Sequence, residues 1–340
     1  MQIFVDADAC PVVGIVEEIK LYVCSKKWGV DMSDWLVKFA HFLNNYDLMV
    51  DKKIDDYFYH YTGLDTAEII LSGGKLRFTD RLCLNDMSEG YYIVDLAIHR
   101  IDTILPENSK FKNSLLKNLN NRKNNIVRNN FYIYQCSFST NPDSLCLWNY
   151  YTASNMENAE SPIEGANLKF DIKYIDDFIH PDTKNNIKFY YGKVCYDEET
   201  QISIIKKIVS DFKDSSLYDE KYSDFITAYC VDKLIMQGIF FKKPCFDIEN
   251  EFRIATDLYV EFGEDIEDAH FVAINNVRGK YKRYDYQIPY VDLEFNQAAF
   301  SGICLSPTLG QEKTKKKLES ALKKYFITNC ITTSDIPVRY

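Results

Sequence analysis

Apolar residues recur along this chain at two spacings, one of three to four residues and one of two, which mark helices and strands. Gln2–Val5 reads as a short strand and Val12–Val23 as a helix. Ser33 is placed to cap a helix through Asn44, whose apolar stripe is Trp35, Leu36, Phe39, Phe42 and Leu43. Phe58–Tyr61 then reads as a strand and Leu64–Leu71 as a helix. That helix stops at Gly73-Gly74, because glycine accepts a left-handed backbone cheaply. Leu76–Phe78 is a short strand, Asn85–Ile104 and Asn108–Arg128 are helices, and Phe131–Ser139 alternates as a strand. Pro142–Tyr151 reads as a helix, Ala166–Ile172 and Lys188–Cys195 as strands, and Glu198–Phe212 and Leu217–Gln237 as helices. Downstream, strands are expected at Glu251–Thr256, Phe271–Ile274, Tyr281–Ile288, Tyr290–Leu293 and Gly302–Leu305. A Lys-rich helix over Gln311–Tyr325 and a last strand over Phe326–Thr332 close the chain. Strands and helices mix without regular βαβ alternation, so the expected class is α+β rather than a doubly wound sheet.

Composition adds limits. The 340 residues suggest about two domains. Apolar residues are 46% and charged residues 26%, which excludes disordered, collagen-like and coiled-coil chains. No apolar run reaches the about 18 residues a membrane span needs. The formal charge of -10 argues against a wholly basic nucleic-acid coat protein. With 25 Tyr, 22 Phe and only 13 Gly, the chain can build a large core whose aromatics keep polar edges. The ten cysteines form no close pair, and Met1–Asp8 turns acidic at once instead of opening a secretory leader. Reduced thiols in a cytoplasmic protein are therefore expected.

Several common chemistries lack their motifs. Neither G-x-G-x-x-G nor G-x-x-x-x-G-K-[ST] occurs, so the two familiar glycine cradles for phosphate are missing. H-E-x-x-H and G-x-S-x-G are missing too, and the five histidines lie far apart. No metal site is expected from them.

The segment Phe58-Tyr59-His60-Tyr61-Thr62 holds a histidine among aromatics. The plain reading is a core histidine bonded to backbone. After it come Ile70-Leu71-Ser72-Gly73-Gly74, Leu76-Arg77-Phe78-Thr79 and Asn85-Asp86-x-x-Glu89. Cys136-Ser137-Phe138-Ser139, Trp148-x-Tyr150-Tyr151, Glu249-Asn250-Glu251-Phe252-Arg253 and Ser334-x-Ile336-Pro337-x-Arg339 complete the order. That order resembles the bacterial domain-of-unknown-function family 2971 over roughly residues 57–340. One departure is that Tyr150 stands beside Tyr151 at the W-x-x-Y step. The opening element and the H…Y…E order also resemble the diphtheria-toxin-like ADP-ribosyltransferases.

These resemblances imply a split β-sheet core with surrounding helices and an NAD-using ADP-ribosyltransferase or NAD glycohydrolase. A macromolecular acceptor, protein or nucleic acid, would be the target, in the setting of a bacterial toxin or antiphage effector. They imply catalytic roles for His60, Tyr151 and Glu251. They imply NAD contacts from His60, Tyr61, Thr62, Arg77, Ser137, Tyr150 and Glu249. A carboxylate beside the ribose can stabilise the oxocarbenium-like charge of nicotinamide departure, as in glycoside hydrolysis. A tyrosine face can stack on nicotinamide, and Arg77 can balance the pyrophosphate. On a strand, Glu249, Glu251 and Arg253 would share a face, with a salt bridge among them as the alternative to catalysis.

Plainer roles are expected for other residues: Asn85 and Asp86 as helix caps, Trp148 as a core anchor, and Lys110–Arg128 and Lys313–Lys324 as solvated helix faces. Residues 1–20, with Val5-Asp6-Ala7-Asp8-Ala9-Cys10-Pro11, resemble the start of the YaiI/YqxD-like family, itself similar to metal-dependent nucleases. Two Asp on one strand can contribute to a Mg²⁺ site but do not complete one. The expected division is an N-terminal extension over 1–50 and an ADP-ribosyltransferase-like domain over 51–340. The alternatives are a non-catalytic nucleotide-binding module of the same fold, or a metal-dependent nuclease using Asp6 and Asp8.

Overall fold

A computed structural model describes residues 34–84, 86, 88–124, 131–152, 164–179, 188–259, 270–271, 276–277, 279–283, 286–307, 318–319, 321–322, 325 and 330–337. Its helices are α1 (Asp34–Asn44), α2 (Leu64–Gly73), α3 (Tyr92–His99), α4 (Ile101–Ile104), α5 (Lys110–Asn124), α6 (Leu145–Tyr151), α7 (Glu198–Lys213) and α8 (Ser223–Gln237). The strands are β1 (Tyr57–Gly63), β2 (Lys75–Asp80), β3 (Phe131–Ser139), β4 (Gly165–Asp171), β5 (Phe189–Lys193) and β6 (Glu251–Tyr259). Then come β7 (His270–Phe271), β8 (Asn276–Val277), β9 (Gly279–Arg283), β10 (Tyr286–Glu294), β11 (Phe300–Leu305) and β12 (Ile331–Thr333). The α+β mixture expected from the pattern is what forms. Among the described residues no helix is long and apolar enough to cross a membrane.

The chain separates into two interleaved units. One takes residues from 1–49, 88–128 and 197–241, and the other from 50–87, 129–196 and 242–340. This differs from a single domain over 51–340. The physical reason is the aromatic stripe of α1: Phe39 stacks on Trp35 at 5.1 Å and meets Phe212, Phe225 and Tyr229, so helices far along the chain close over it.

The first unit is helical. The basic face of α5 is largely solvated, as expected, with Lys110, Lys117 and Lys123 exposed and only Lys112 buried. Four of its cations also pair with acids of the same unit: Lys112 with Asp102, Lys117 with Asp224, Arg122 with Asp232 and Lys123 with Asp95. Between those pairs Phe111, Leu115 and Leu119 are fully buried, which gives α5 one apolar face with an ion-paired margin. The helix expected from Asn85 starts only at Tyr92, well past Asp86, which therefore does not cap it. Asn85 lies outside the described residues, as do residues 1–33 and the second Lys cluster.

The second unit is built on a ten-stranded sheet in which the pairings are antiparallel except β11–β12. β6 takes one whole edge of β3, nine consecutive partners from Phe131↔Tyr259 to Ser139↔Glu251. The other edge of β3 serves two strands: β1 at Tyr59↔Ser139, and β2 at Thr79↔Gln135 and Asp80↔Tyr134. β1 continues outward to β4, β11 and β12, and β2 to β10 and β9. The sheet is thus forked, with β3 at the fork.

Period-2 alternation sets the two faces of the sheet. Phe58, Leu76, Phe78, Tyr134, Cys136, Phe138, Phe252 and Ile254 belong to one buried core, to which α2 adds Ala67, Ile70 and Leu71. Phe58, Phe138, Phe170 and Phe178 meet edge-on or stacked at 5.0 to 5.9 Å. α2 ends as expected, with Gly74 left-handed at φ 67 and its N–H donated to the Ile70 carbonyl.

The two strands expected around Pro289 are one continuous β10. β2 pairs with β10 only from Tyr290 onward, and β9 pairs at Pro289 itself, so the missing N–H sits where one neighbour has ended. Of the strand expected at Phe271–Ile274, Phe271 lies in β7, which pairs with β8; residues 272–274 lie outside the described residues.

Candidate functional site

The carboxylates singled out in the sequence meet in one buried ion cluster. The 3-10 turn Pro244–Glu249 delivers Glu249, Asn250 takes a left-handed backbone at φ 44, and Glu251 opens β6. Glu249 and Glu251 therefore do not share a strand face, which corrects the expectation. They converge instead through Lys242, whose Nζ lies 2.5 Å from Glu249 Oε2 and 3.3 Å from Glu251 Oε2. Arg253 donates to both oxygens of Glu251, Nε to Oε1 at 2.7 Å and Nη2 to Oε2 at 2.7 Å. Lys242 and Glu251 are 5% exposed and Arg253 1%. The guanidinium fork matches a carboxylate's two oxygens, so this is the strong form of a charge-assisted pair.

Burial pushes the Glu251 carboxyl up. Arg253, Lys242 and the Ser137 hydroxyl outweigh it and hold the group at about 2, well below its ordinary 4.5. The Tyr196 hydroxyl accepts from the Glu251 backbone N–H at 3.0 Å, and burial next to that carboxylate pushes its own phenol far up.

Glu249 is the more open of the two carboxylates, with its side chain 15% exposed. Its Oε1 accepts from the Tyr151 hydroxyl at 3.1 Å, and Tyr151 is 38% exposed. Tyr150, the competing tyrosine, is 78% exposed, and no contact joins it to the carboxylates in the structure. Ser139 Oγ donates to the Glu249 carbonyl at 2.7 Å, so both strand serines lean on the carboxylate edge.

α6 carries Tyr151, and a clamp fixes its start. Trp148 Nε1 and Ser334 Oγ both donate to Asp143 Oδ1 at 2.7 Å. Trp148 is fully buried, as expected, with the Tyr61 ring edge-on at 4.8 Å. The end of α6 packs so closely that a Cβ on Gly165 would stand 2.1 Å from Thr152 Cβ.

His60 and Thr62 fall elsewhere. The register Tyr59↔Ser139↔Glu251 puts Tyr59, Tyr61, Ser137, Ser139, Glu251 and Arg253 on one face of the sheet. His60 and Thr62 alternate to the other face, that of Phe58 and Phe138. The His60 ring lies 5.4 Å from Phe138, and its Nδ1 bonds the Ser137 carbonyl at 2.9 Å. Burial lowers its pKa despite that bond. The plain reading is the one the geometry carries: a half-buried neutral histidine bonded to backbone at the fork.

Arg77 shares the face of Thr79 but is committed. It donates to Asp292 through Nε at 2.9 Å and Nη2 at 3.1 Å, and its guanidinium lies 3.6 Å from the Tyr290 ring centroid. Tyr61 is tied to the α6 clamp, its hydroxyl donating to the Asn141 carbonyl and accepting from the Ser144 N–H.

Lys242, Tyr196 and Asp143 were not singled out in the sequence. Lys242 stands in Phe240-Phe241-Lys242-Lys243-Pro244, where a lysine pair before proline reads as a surface turn. The only signal for its burial is the apolar run before it.

Two of the cavities among the described residues open in this unit. One of about 370 Å³ lies beside Gly73, Gly74 and Glu294–Gln297. The other, of about 280 Å³, is lined by Phe178, Lys188, Phe189, Tyr191 and Ile254 among others. No residue of the carboxylate cluster lines either. Among the described residues no group of three or more His, Cys, Asp or Glu is placed to hold a metal ion, and every described cysteine is a free thiol. Asp6 and Asp8 lie outside the described residues. No protein-family profile, curated protein or solved structure matches this chain.

Proposed function

We propose that the forked-sheet unit acts on an NAD-type ADP-ribosyl donor at the edge where Tyr151 meets Glu249, transferring ADP-ribose to a macromolecule or hydrolysing NAD. The observation that carries the reading is a pair of carboxylates, one open and one buried, bridged by Lys242, with the hydroxyl of the exposed Tyr151 donating to the open one. Losing nicotinamide leaves positive charge on the ribose, and a carboxylate fixed beforehand stabilises it with little reorganisation. Glu249 is the carboxylate with access to such a ligand. Glu251 stands behind it and sets its surroundings through Lys242. The motif order resembling domain-of-unknown-function family 2971, and through it the ADP-ribosyltransferase-like fold, supports the same reading. His60 has no part in it.

A second reading has its own observation. Both oxygens of Glu251 are engaged by Arg253 and Lys242, which suits a nucleotide-binding module without turnover. The full chain incubated with NAD labelled in its ADP-ribose moiety separates the two. Turnover releases nicotinamide and falls about 10²-fold in Glu249→Gln. A binding module gives calorimetric heat with no release. Neither heat nor release, or release unchanged in both Glu249→Gln and Glu251→Gln, overturns the assignment.

A further inference from the structure

Lys242 is a buried cation enclosed by two carboxylates, with the Phe246 ring centroid 4.7 Å from its Nζ. Each element around it contributes a group. β6 brings Glu251 and Arg253, the 3-10 turn Glu249, α6 Tyr151 and Cys146, β3 Ser137 and Cys136, and the segment after β5 Tyr196. By formal charge the set holds two cations, Lys242 and Arg253, and two anions, Glu249 and Glu251. Arg253 is directed at Glu251 through both its Nε and its Nη2. The cation contacting Glu249 is Lys242.

We propose that Lys242 is a positioning residue that keeps Glu249 and Glu251 ionised side by side, and so holds the open carboxylate in its charged form next to Tyr151. Two carboxylates brought together without a cation share a proton, because both cannot stay charged in a poorly solvated site. Lys242 removes that need. That Glu249 serves a ligand rests on the reading above; that Lys242 sets the charge of the pair does not.

Thermal unfolding of the full chain across about pH 8 to 4 tests this without any ligand. In the wild type the Glu251 carboxyl pKa is depressed, so its contribution is steady from about pH 8 down to about 4.5 and begins to be lost only below that. In Lys242→Met, Glu249 takes up a proton in the folded state that the unfolded chain releases. Stability then falls as pH rises, and the midpoint climbs as pH is lowered from about 8 to about 5. The double variant Lys242→Met with Glu249→Gln, which has no second carboxylate to protonate, loses that reversal. A Lys242→Met profile parallel to the wild type, displaced by a uniform offset, overturns the proposal. If Lys242→Met does not fold near pH 7, recovery of folding by adding Glu249→Gln supports the proposal and failure to recover overturns it. Nicotinamide release by the wild type together with a parallel pH profile discards the role of Lys242 and leaves the NAD reading standing. A reversed profile with no NAD binding does the opposite.

Discussion

Arg253→Met removes the fork that holds Glu251. The side chain is 1% exposed, and methionine keeps much of its volume, so packing changes little. The loss is electrostatic. Glu251 stays 5% exposed and must share Lys242 with Glu249. Breaking a buried pair by removing one partner costs about 3–5 kcal/mol. The Glu251 carboxyl, held below its ordinary value by Arg253 and Lys242, contributes in the same direction. That contribution is present above the ordinary carboxyl value and lost as pH falls from about 4.5 toward about 2, so the wild type should weaken over that window. Urea unfolding at neutral pH, followed by far-ultraviolet dichroism, measures the loss. The partner experiment is Arg253→Met combined with Glu251→Gln. Removing both charges together costs less than removing the arginine alone, because no buried anion is left unpaired. A single variant costing under about 1 kcal/mol, or a double variant costing the sum of the two singles, refutes the cluster as a buried charge-compensated unit.

Other outcomes follow from the same geometry. The His60 imidazole should titrate below its ordinary 6.5 because burial disfavours the charged ring, so it costs stability as pH drops below that value; a proton-resonance titration midpoint above 6.5 would contradict its buried position. Trp148→Phe removes the indole N–H from Asp143 and should cost about 1–3 kcal/mol in denaturant unfolding, with an equal loss in Asp143→Asn counting against the clamp only if the double variant is additive. Gly165→Ala should cost about 1–3 kcal/mol by driving a methyl into Thr152, and a neutral result would mean that α6 is free to shift. Lys117→Met on α5 removes an ion pair whose two side chains are 56% and 37% exposed, so it should change stability by under about 1 kcal/mol, less still at high salt.

Much of the architecture was legible because it is periodic. β1, α2, β3, α7 and β6 fall where the spacing put them, since each has a buried face long enough to leave a pattern. Glu249 misled because local backbone overrode period-2 reasoning: a 3-10 turn and one left-handed asparagine reorient it before the strand begins. His60 misled for the opposite reason. Alternation alone separates it from Glu251, yet the separation depends on the register Tyr59↔Ser139, which no single-strand pattern contains. Lys242 was invisible because its burial is created by two carboxylates arriving from later in the chain. The basic face of α5 was legible as solvated, but its ion pairs were not, because the acidic partners lie on other helices.

The double duty of β3 has a mechanical consequence. Two wings of sheet, one running out through β1 and the other through β2, share one edge of a single strand that β6 splints along its whole length. The wings also meet in the shared core, where Phe170 of β4 lies 5.4 Å from Phe295 just past the end of β10. The amides of β3 and β6 should be the last in the unit to exchange with deuterated solvent.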